Sequence, residues 1–562
     1  MVVSEFWLQK LTKHLGHRVG QALALAGVGL LAVAPPTLSA EEIIITFGFF
    51  ERTVSIEELA AFARGEGLSP QLSEYVRSIS LSEADLAAVQ EVLNQRIDLS
   101  VVELSQFFYT AQGETLLSVL GEVLQTPTRR SGSLAIRAAL ILAAADDANG
   151  LTLLNFLIKY PTPGIRVDVS KGLGIAATVA ETLEQTERAV ALVQDVANTE
   201  AQQPVDNLFR ARQLINAPPP YTVTTRPFSI PERGVEATLF LPKSNSQRLL
   251  LPDDIPIIVI SHGLGDERAS YRYLAEYLTR RGFVVATLDH PGSNADQITD
   301  LLQGLSPNVV DNREFINRPG DISALLDTIQ QFALQDRIFR RRLNLRNVGL
   351  VGQSFGGYTA LALAGATFDP ETLAAACGPQ LIYLNPSLLL QCEAMRVAAD
   401  SPYMKDDRVQ AILVVNPIGS SIFGESGYAQ LEVPIMMMAA TADTVAPALP
   451  EQIEPFTWLQ TRYRYLALVS ETTHFSVIAN DPEAASLLFP LELRGSSPEL
   501  AQEYLQTLSL AFFQRHLRQD GRYDAALTAR YMIENVEQSP LQPLSFIKEL
   551  SPELLTRRDN QE

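Results

Sequence analysis

The amino-acid sequence predicts an α/β fold, a mainly parallel sheet covered by helices on both faces, preceded by an all-helical domain. After residue 220, short apolar runs alternate with helical segments, which is typical of parallel strands joined by helices. Between residues 41 and about 200, apolar residues instead recur at helical spacing. The proline run Ala217-Pro218-Pro219-Pro220 separates the two patterns and marks a rigid break.

The first forty residues have the pattern of a secretory signal peptide. Lys10, Lys13 and Arg18 form a basic segment, the apolar run Gly20–Ala34 follows, and Leu38-Ser39-Ala40 offers a cleavage point. The run is shorter than the ~20 residues that cross a bilayer. We therefore expect residues 1–40 to be a signal and the protein to be exported, either periplasmic or secreted. A membrane anchor formed by the uncleaved helix is the alternative.

The composition excludes some classes of function. The 562 residues include 44 Lys and Arg against 64 Asp and Glu, a formal net charge of −20 at pH 7. Nucleic-acid binding needs a basic surface, so we expect no nucleic-acid partner. Six His and two Cys leave little material for a metal cluster, and we expect neither a metal nor a cofactor.

The two cysteines, Cys377 and Cys392, are 15 positions apart. Exported proteins fold in oxidising surroundings, where such a pair can form a disulfide. We expect this disulfide, with two buried free thiols as the alternative.

Capping signals and periodicity predict the helical domain, residues 41–200. Ser55 opens a capping box, Ser82 can cap a second helix, and a long helical run covers about residues 172–199. The domain carries no catalytic constellation. We interpret it either as a packed bundle or as a cap or docking surface for the second half. Residues 201–220 are interpreted as a Pro-rich linker.

The α/β part is predicted to span residues 221–520, with a C-terminal extension over residues 521–562. Tyr221–Ile230 and Val235–Leu241 alternate like an antiparallel hairpin, which would form one edge of the sheet. The parallel strands are predicted from short apolar runs at Ile255–Ile260, Phe283–Leu288, Val348–Val351, Ala411–Val415, Ile435–Ala440 and Tyr465–Val469.

One of these strands leads into a G-x-S-x-G motif. Val348–Val351 is followed by Gly352-Gln353-Ser354-Phe355-Gly356 and then by a helical segment, Tyr358–Ala366. A sharp turn between a strand and a helix exposes the serine hydroxyl at the carboxyl end of a sheet. The sequence therefore predicts Ser354 as a nucleophile.

A serine nucleophile needs a general base, which in this arrangement follows it in the sequence. His474 lies just after the strand Tyr465–Val469, where a site at the carboxyl edge would be. His516 lies inside a helical segment and is expected to be a surface residue. We predict His474 as the base.

The acid should follow the preceding strand. Ile435–Ala440 ends in Thr441-Ala442-Asp443, so Asp443 is the predicted acid. Asp443 could instead cap a turn, with Glu425 or Glu471 as the acid.

The loop Ser261-His262-Gly263-Leu264-Gly265 follows another apolar strand, where a backbone N–H of an oxyanion hole is expected. We assign the two donors to the N–H groups of Leu264 and Phe355. His262 precedes the nucleophile and is expected to be structural rather than the base. Asp289-His290-Pro291-Gly292 ends another strand and either rims the pocket or forms a structural turn.

These motifs make residues 221–520 resemble an α/β-hydrolase. SHGLG (Ser261–Gly265) and GQSFGGY (Gly352–Tyr358) are similar to the platelet-activating-factor acetylhydrolase group of lipid esterases. This resemblance implies Ser354 as nucleophile, His474 as base, and Leu264 and Phe355 as oxyanion donors.

The acid is the point at which this sequence differs from that group. The position of the group's acid aligns with Asn416, which carries no charge. Asp443-Thr-Val-Ala-Pro447 instead resembles the acid loop of cutinase-like and dienelactone-hydrolase-like enzymes. Short-acyl phospholipid specificity therefore does not carry over. The whole chain resembles a group of cyanobacterial α/β-hydrolases with a helical N-terminal region, and this resemblance implies no particular substrate.

The sequence thus predicts an exported serine esterase or lipase, acting on a small-molecule or lipid ester, with peripheral membrane contact left open. A peptidase or amidase using the same triad is one alternative. A non-catalytic envelope binding protein is the other. The apolar insert Leu381–Leu390 either lines an acyl pocket or has a packing role.

Overall fold

The chain divides into two compact units. A computed structural model describes residues 39–78, 81–244, 251–378, 384–398, 403–479, 491–536 and 543–557. The first unit comprises Met1–Glu181 with Asp300–Val309, and the second comprises Thr182–Thr299 with Val310–Glu562. Most of the predicted signal and the start of the apolar insert, residues 381–383, lie outside the described residues.

The first unit combines helices with a small sheet. Its strands are β1 (Glu42–Phe47), β2 (Phe50–Ser55), β3 (Leu124–Gln125) and β4 (Gly164–Asp168), in the order β2-β1-β4-β3. The prediction of an all-helical domain is therefore corrected to a mixed one. Strand β1 pairs with its neighbour β2 in a tight hairpin and also with the distant β4, with Glu42 opposite Gly164.

The helices of this unit begin where the capping signals predict. The Ser55 hydroxyl accepts a hydrogen bond from the Glu58 N–H, and Ser82 forms a capping box with Asp85. The helices are α1 (Ile56–Ala63), α2 (Pro70–Ser78), α3 (Glu83–Asn94), α4 (Val101–Phe108), α5 (Ala111–Val123), α6 (Ser133–Ala144) and α7 (Leu153–Ile158). Helix α8 (Val169–Ala201) begins in this unit and ends in the second, so the predicted boundary at residue 200 falls inside the second unit.

The second unit is built on a sheet with nine strands among the described residues. They are β5 (Tyr221–Ile230), β6 (Val235–Ser244), β7 (Ile255–Ser261), β8 (Val284–Leu288), β9 (Leu343–Gln353), β10 (Val409–Val415), β11 (Ile435–Ala440), β12 (Arg464–Val469) and β13 (Leu544–Ile547). The strand order is β13-β12-β11-β10-β9-β7-β8-β6-β5. The six strands from β12 to β8 are parallel, and the three outer strands pair antiparallel.

Two predicted boundaries change in the second unit. The segment interpreted as a linker contains helix α9 (Leu208–Ile215), whose Ala211 and Ile215 are buried in a core cluster. The predicted C-terminal extension supplies β13, which pairs with β12 and completes the sheet. Both segments bury apolar side chains and are parts of the α/β unit.

Helices cover both faces of this sheet. The helices after residue 271 are α10 (Arg272–Arg280), α11 (Ala295–Leu302), α12 (Glu314–Gln335), α13 (Phe355–Ala364), α14 (Pro370–Ala376), α15 (Leu388–Gln391), α16 (Met395–Ala398), α17 (Ser420–Tyr428), α18 (Glu454–Trp458), α19 (Pro498–His516), α20 (Ala529–Val536) and α21 (Pro552–Arg557), of which α11 ends in the first unit. Side chains alternate along β7, so Ile257 and Val259 enter one core cluster while Ile258 and Ile260 enter another. In the described part of the chain, we find no helix long and apolar enough to cross a membrane.

Candidate active site

Ser354 occupies a sharp turn between β9 and α13. Its backbone has φ 54° and ψ −116°, a conformation that is sterically unfavourable for a residue with a side chain. A Cβ atom on Gly352 would lie 2.1 Å from the Gly356 carbonyl oxygen, and one on Gly356 would lie 2.0 Å from the Ser261 carbonyl oxygen. Glycine is therefore required at both flanking positions, where the turn packs against the loop after β7.

His474 and Asp443 contact each other at the carboxyl ends of β12 and β11. The His474 Nδ1–H donates to Asp443 Oδ2 at 2.6 Å, and both side chains are buried. The other Asp443 oxygen accepts from the N–H groups of Val445 (2.8 Å) and Ala446 (2.7 Å). The aspartate is thereby fixed in orientation, and it holds the His474 ring with Nδ1 toward the carboxylate and Nε2 on the opposite side of the ring.

The Ser354 hydroxyl and the His474 ring are not joined by a hydrogen bond among the described residues. In serine hydrolases this bond is often long without substrate and tightens when substrate binds. A side chain next to the serine reaches the histidine loop instead, because Gln353, the residue before Ser354, donates from Nε2 to the His474 carbonyl at 3.1 Å.

The alternative acids and base lie elsewhere. Glu425 and Glu471 are exposed, whereas Asp443 is buried against the imidazole. His516 is half-buried rather than on the surface, and its Nε2 lies 3.0 Å from the Tyr465 hydroxyl. Burial lowers the pKa of His516 to about 3. His516 also lines a cavity at the amino ends of the strands, opposite the carboxyl edge that carries Ser354.

Asn416 occupies the position where the lipid-esterase resemblance places the acid, but it acts as a tether. Its Nδ2 donates to the His474 carbonyl at 3.3 Å, and its Oδ1 accepts from the Ala440 N–H at 2.9 Å. Asn416 therefore ties the histidine loop to the strand that ends before Asp443. Sequence analysis did not assign this role to Asn416 or to Gln353, although both lie at strand ends.

The two predicted oxyanion donors belong to the two segments that meet at Ser354. Phe355 is the first residue of α13, and Leu264 lies in the loop after β7. Among the described residues, neither backbone N–H donates to an acceptor. A Cβ atom on Gly263 would lie 3.3 Å from the Ser354 Cβ, so this loop closely approaches the serine. The N-terminus of α13 also favours negative charge at this point.

His262 and His290 are buried and structural. The His290 N–H donates to His262 Nε2 at 3.0 Å, and His262 Nδ1–H donates to the Gly263 carbonyl at 2.6 Å. Burial and the nearby Arg318 charge lower the pKa of both histidines well below the ordinary range. Asp289 accepts from the Arg268 N–H, so the Asp289–Gly292 segment forms a structural turn.

A second hydrogen-bonded series of serine, histidine and aspartate lies near the candidate site. The Ser261 hydroxyl donates to His290 Nε2 at 2.9 Å, and His290 Nδ1–H donates to Asp321 Oδ2 at 3.0 Å. All three side chains are at most 2% exposed. Ser261 lies in strand β7 rather than on a strand-to-helix turn, so we interpret this set of hydrogen bonds as structural.

The insert after α13 is held by a disulfide and a buried carboxylate. Cys377 is bonded to Cys392. Glu451 accepts hydrogen bonds from Asn385 and Ser387 of the insert and from Gln391, the residue after it. Burial raises the pKa of Glu451. These contacts hold the described part of the insert against the segment that carries Glu451. No group of His, Cys, Asp or Glu among the described residues is arranged to hold a metal ion.

The sheet order, the serine turn after β9 and the His474–Asp443 pair together define the class of this protein as an α/β-hydrolase fold. Residues 256–416 match the family described as alpha/beta hydrolase fold. Residues 39–168 match the family described as alpha/beta hydrolase of unknown function (DUF1400). These matches support a hydrolase. No curated protein matches the chain significantly.

The match to the family of unknown function falls outside the unit that contains Ser354. Residues 39–168 lie in the first unit, whereas Ser354 lies in the second. The first unit is therefore similar to part of an α/β-hydrolase family without containing the candidate site.

Proposed function

We propose that this protein is an exported serine hydrolase that cleaves carboxylic esters of lipids or other acyl compounds. The observation that carries the proposal is the 2.6 Å hydrogen bond between His474 and Asp443, at the same sheet edge as the Ser354 turn. A buried imidazole oriented by a carboxylate is the general base that a serine nucleophile needs.

The proposed reaction proceeds through an acyl-enzyme. The Ser354 oxygen attacks the ester carbonyl carbon while His474 Nε2 takes the hydroxyl proton, and Asp443 stabilises the imidazolium that forms. The N–H groups of Leu264 and Phe355 hold the oxyanion of the tetrahedral intermediate. The imidazolium then gives its proton to the leaving alcohol. Water, deprotonated by His474, releases the acid and restores Ser354.

The motifs SHGLG and GQSFGGY favour an ester over an amide, because they resemble those of lipid esterases. We further propose that the first unit serves as a cap or docking surface and that the protein makes peripheral contact with a membrane. Export is supported by the basic and apolar pattern of the N-terminal residues and by the Cys377–Cys392 disulfide.

The test compares the protein lacking residues 1–40 with its Ser354→Ala variant on p-nitrophenyl esters from acetate to palmitate. We expect kcat to fall at least about 10³-fold, because the nucleophile is lost while the oxyanion hole remains. The parent should also react with a fluorophosphonate probe, and peptide mapping should find the adduct on Ser354 rather than on buried Ser261.

A matched panel of p-nitroanilides separates esterase from amidase activity. Faster cleavage of anilides than of esters would favour the peptidase or amidase alternative. Equal ester hydrolysis by parent and variant, together with no probe adduct on Ser354, would contradict the proposal and favour a non-catalytic binding protein.

A further inference from the structure

Helix α12 directs three charged side chains into the interior beside the candidate site. Glu314, Arg318 and Asp321 are spaced by four and three residues, which places them on one face of the helix. All three are at most 2% exposed. Their partners outside the helix are Ser293 for Glu314, His262 for Arg318, and His290 and Arg233 for Asp321. This face therefore holds the loops that follow β7 and β8.

Arg318 contacts both segments of the proposed oxyanion hole. Its Nη2 donates to the carbonyl oxygen of His262, two residues before Leu264. Its guanidinium carbon lies 4.4 Å from the ring centroid of Phe355, within cation–π range. One side chain thus orients the loop that presents the Leu264 N–H and the residue that presents the second N–H.

The burial of Arg318 is costly. Its side chain is fully buried, and its Nε and Nη1 have no hydrogen-bond partner among the described residues. Burial lowers its pKa only to about 10, so it stays a cation at neutral pH, stabilised by the nearby charges of Glu314 and Asp321. An apolar side chain could fill this space without the cost of removing a charge from water. The need to fill the space therefore does not explain why residue 318 is an arginine.

Helix α12 is also hydrogen-bonded to α13, the helix that follows Ser354. Pro319 lies inside α12 and has no N–H to donate to the Phe315 carbonyl, four residues earlier. The Tyr358 hydroxyl of α13 donates to that carbonyl at 2.6 Å. The two helices are therefore joined within one turn of both Arg318 and Ser354.

We propose that Arg318 is a positioning residue for the oxyanion hole, an inference that rests on the serine-hydrolase function proposed above. Its planar guanidinium fixes the His262 peptide and the Phe355 ring, so that the Leu264 and Phe355 N–H groups converge on one oxygen. Its charge also favours the negative charge that develops in the transition state. Arg318 does not touch the substrate.

The test uses Arg318→Gln in the chain lacking residues 1–40, with Arg408→Gln as the matched control. Arg408 also binds α12, through Asp327 and the Ser323 carbonyl, but not the oxyanion loop. We expect Arg318→Gln to lower kcat for p-nitrophenyl butyrate by about 10- to 100-fold per titrated active site, with KM changed less than about 3-fold. Inhibition by a trifluoromethyl ketone, which mimics the tetrahedral intermediate, should weaken by a similar factor. Arg408→Gln should keep the parental kcat.

A kcat for Arg318→Gln within 3-fold of the parent, or an equal fall in Arg408→Gln, would overturn the positioning role. If Arg318→Gln does not fold, Arg318→Lys keeps the charge without the planar group, and parental kcat in that variant would also overturn it. Activity that persists in Ser354→Ala would instead contradict the serine-hydrolase proposal itself.

Discussion

At the scale of single residues, the site depends on a strained serine held from several sides. The φ of 54° at Ser354 costs about 1–3 kcal/mol and persists only where the surroundings impose it. The Ser354 N–H donates to the Val415 carbonyl at 2.9 Å, and the Ser354 carbonyl accepts from the Gly357 N–H at 2.8 Å. These bonds connect the serine to β10 and to the first turn of α13, and so keep its side chain at a helix N-terminus.

Asp443 can be tested as the acid by removing only its charge. Asp443→Asn should lower kcat by about 10²- to 10⁴-fold with little change in KM, because the amide no longer stabilises the imidazolium and can select the wrong tautomer. Ester hydrolysis at pH 8 measures the effect. Glu471→Gln in the neighbouring loop is the control and should keep the parental kcat, since Glu471 is exposed. Loss of activity in Glu471→Gln but not in Asp443→Asn would reverse the assignment.

The site residues that could be predicted from the sequence are those that directly follow a recognisable strand, because this position alone points to the carboxyl edge of the sheet. Ser354, Asp443 and His474 each follow a short apolar run, and the structure brings all three to one sheet edge. Arg318 and Asp321 carry no such signal. A charged pair spaced by three in a helix normally faces water, and its burial depends on loops from β7 and β8.

At the scale of elements, the central strands were predictable because their apolar runs are continuous. The predicted Ile435–Ala440 coincides with β11, and the predicted hairpin forms the expected edge. β13 is only four residues long, and β1 is separated from its partner β4 by more than 100 residues. Periodicity within a short window does not detect these long-range pairings, although β1 also pairs locally with β2 and that hairpin was missed in the sequence.

The bond between α12 and α13 gives a stability prediction at this scale. Tyr358→Phe should destabilise the protein by about 1–3 kcal/mol, because the Phe315 carbonyl would be left buried without its donor. Urea unfolding measures the change. Tyr428→Phe is the matched control, since the buried Tyr428 hydroxyl has no hydrogen-bond partner among the described residues. Removing that hydroxyl should be neutral or stabilising. Equal destabilisation in both variants would show that the Tyr358–Phe315 bond contributes nothing specific.

At the scale of the whole molecule, each unit has its own core and its own family similarity. The first unit buries a separate apolar cluster around Ile136, Ala139 and Ile165, whereas the second buries two clusters on either face of its sheet. The candidate catalytic residues all lie in the second unit. The proposed chemistry can therefore be assigned to the second unit alone.

The Cys377–Cys392 disulfide relates the fold to the proposed compartment, because such bonds persist in oxidising surroundings. Protein recovered from the exported fraction should show no reactive thiol after denaturation, and two after reduction. The bond closes a segment with a sequence separation of 15, so Cys377→Ala combined with Cys392→Ala should lower the free energy of unfolding by about 3 kcal/mol. Reduced parent protein is the control and should match the double variant. Two free thiols in the unreduced protein would contradict the disulfide and remove the chemical support for export, leaving the hydrolase proposal to stand on Ser354, His474 and Asp443 alone.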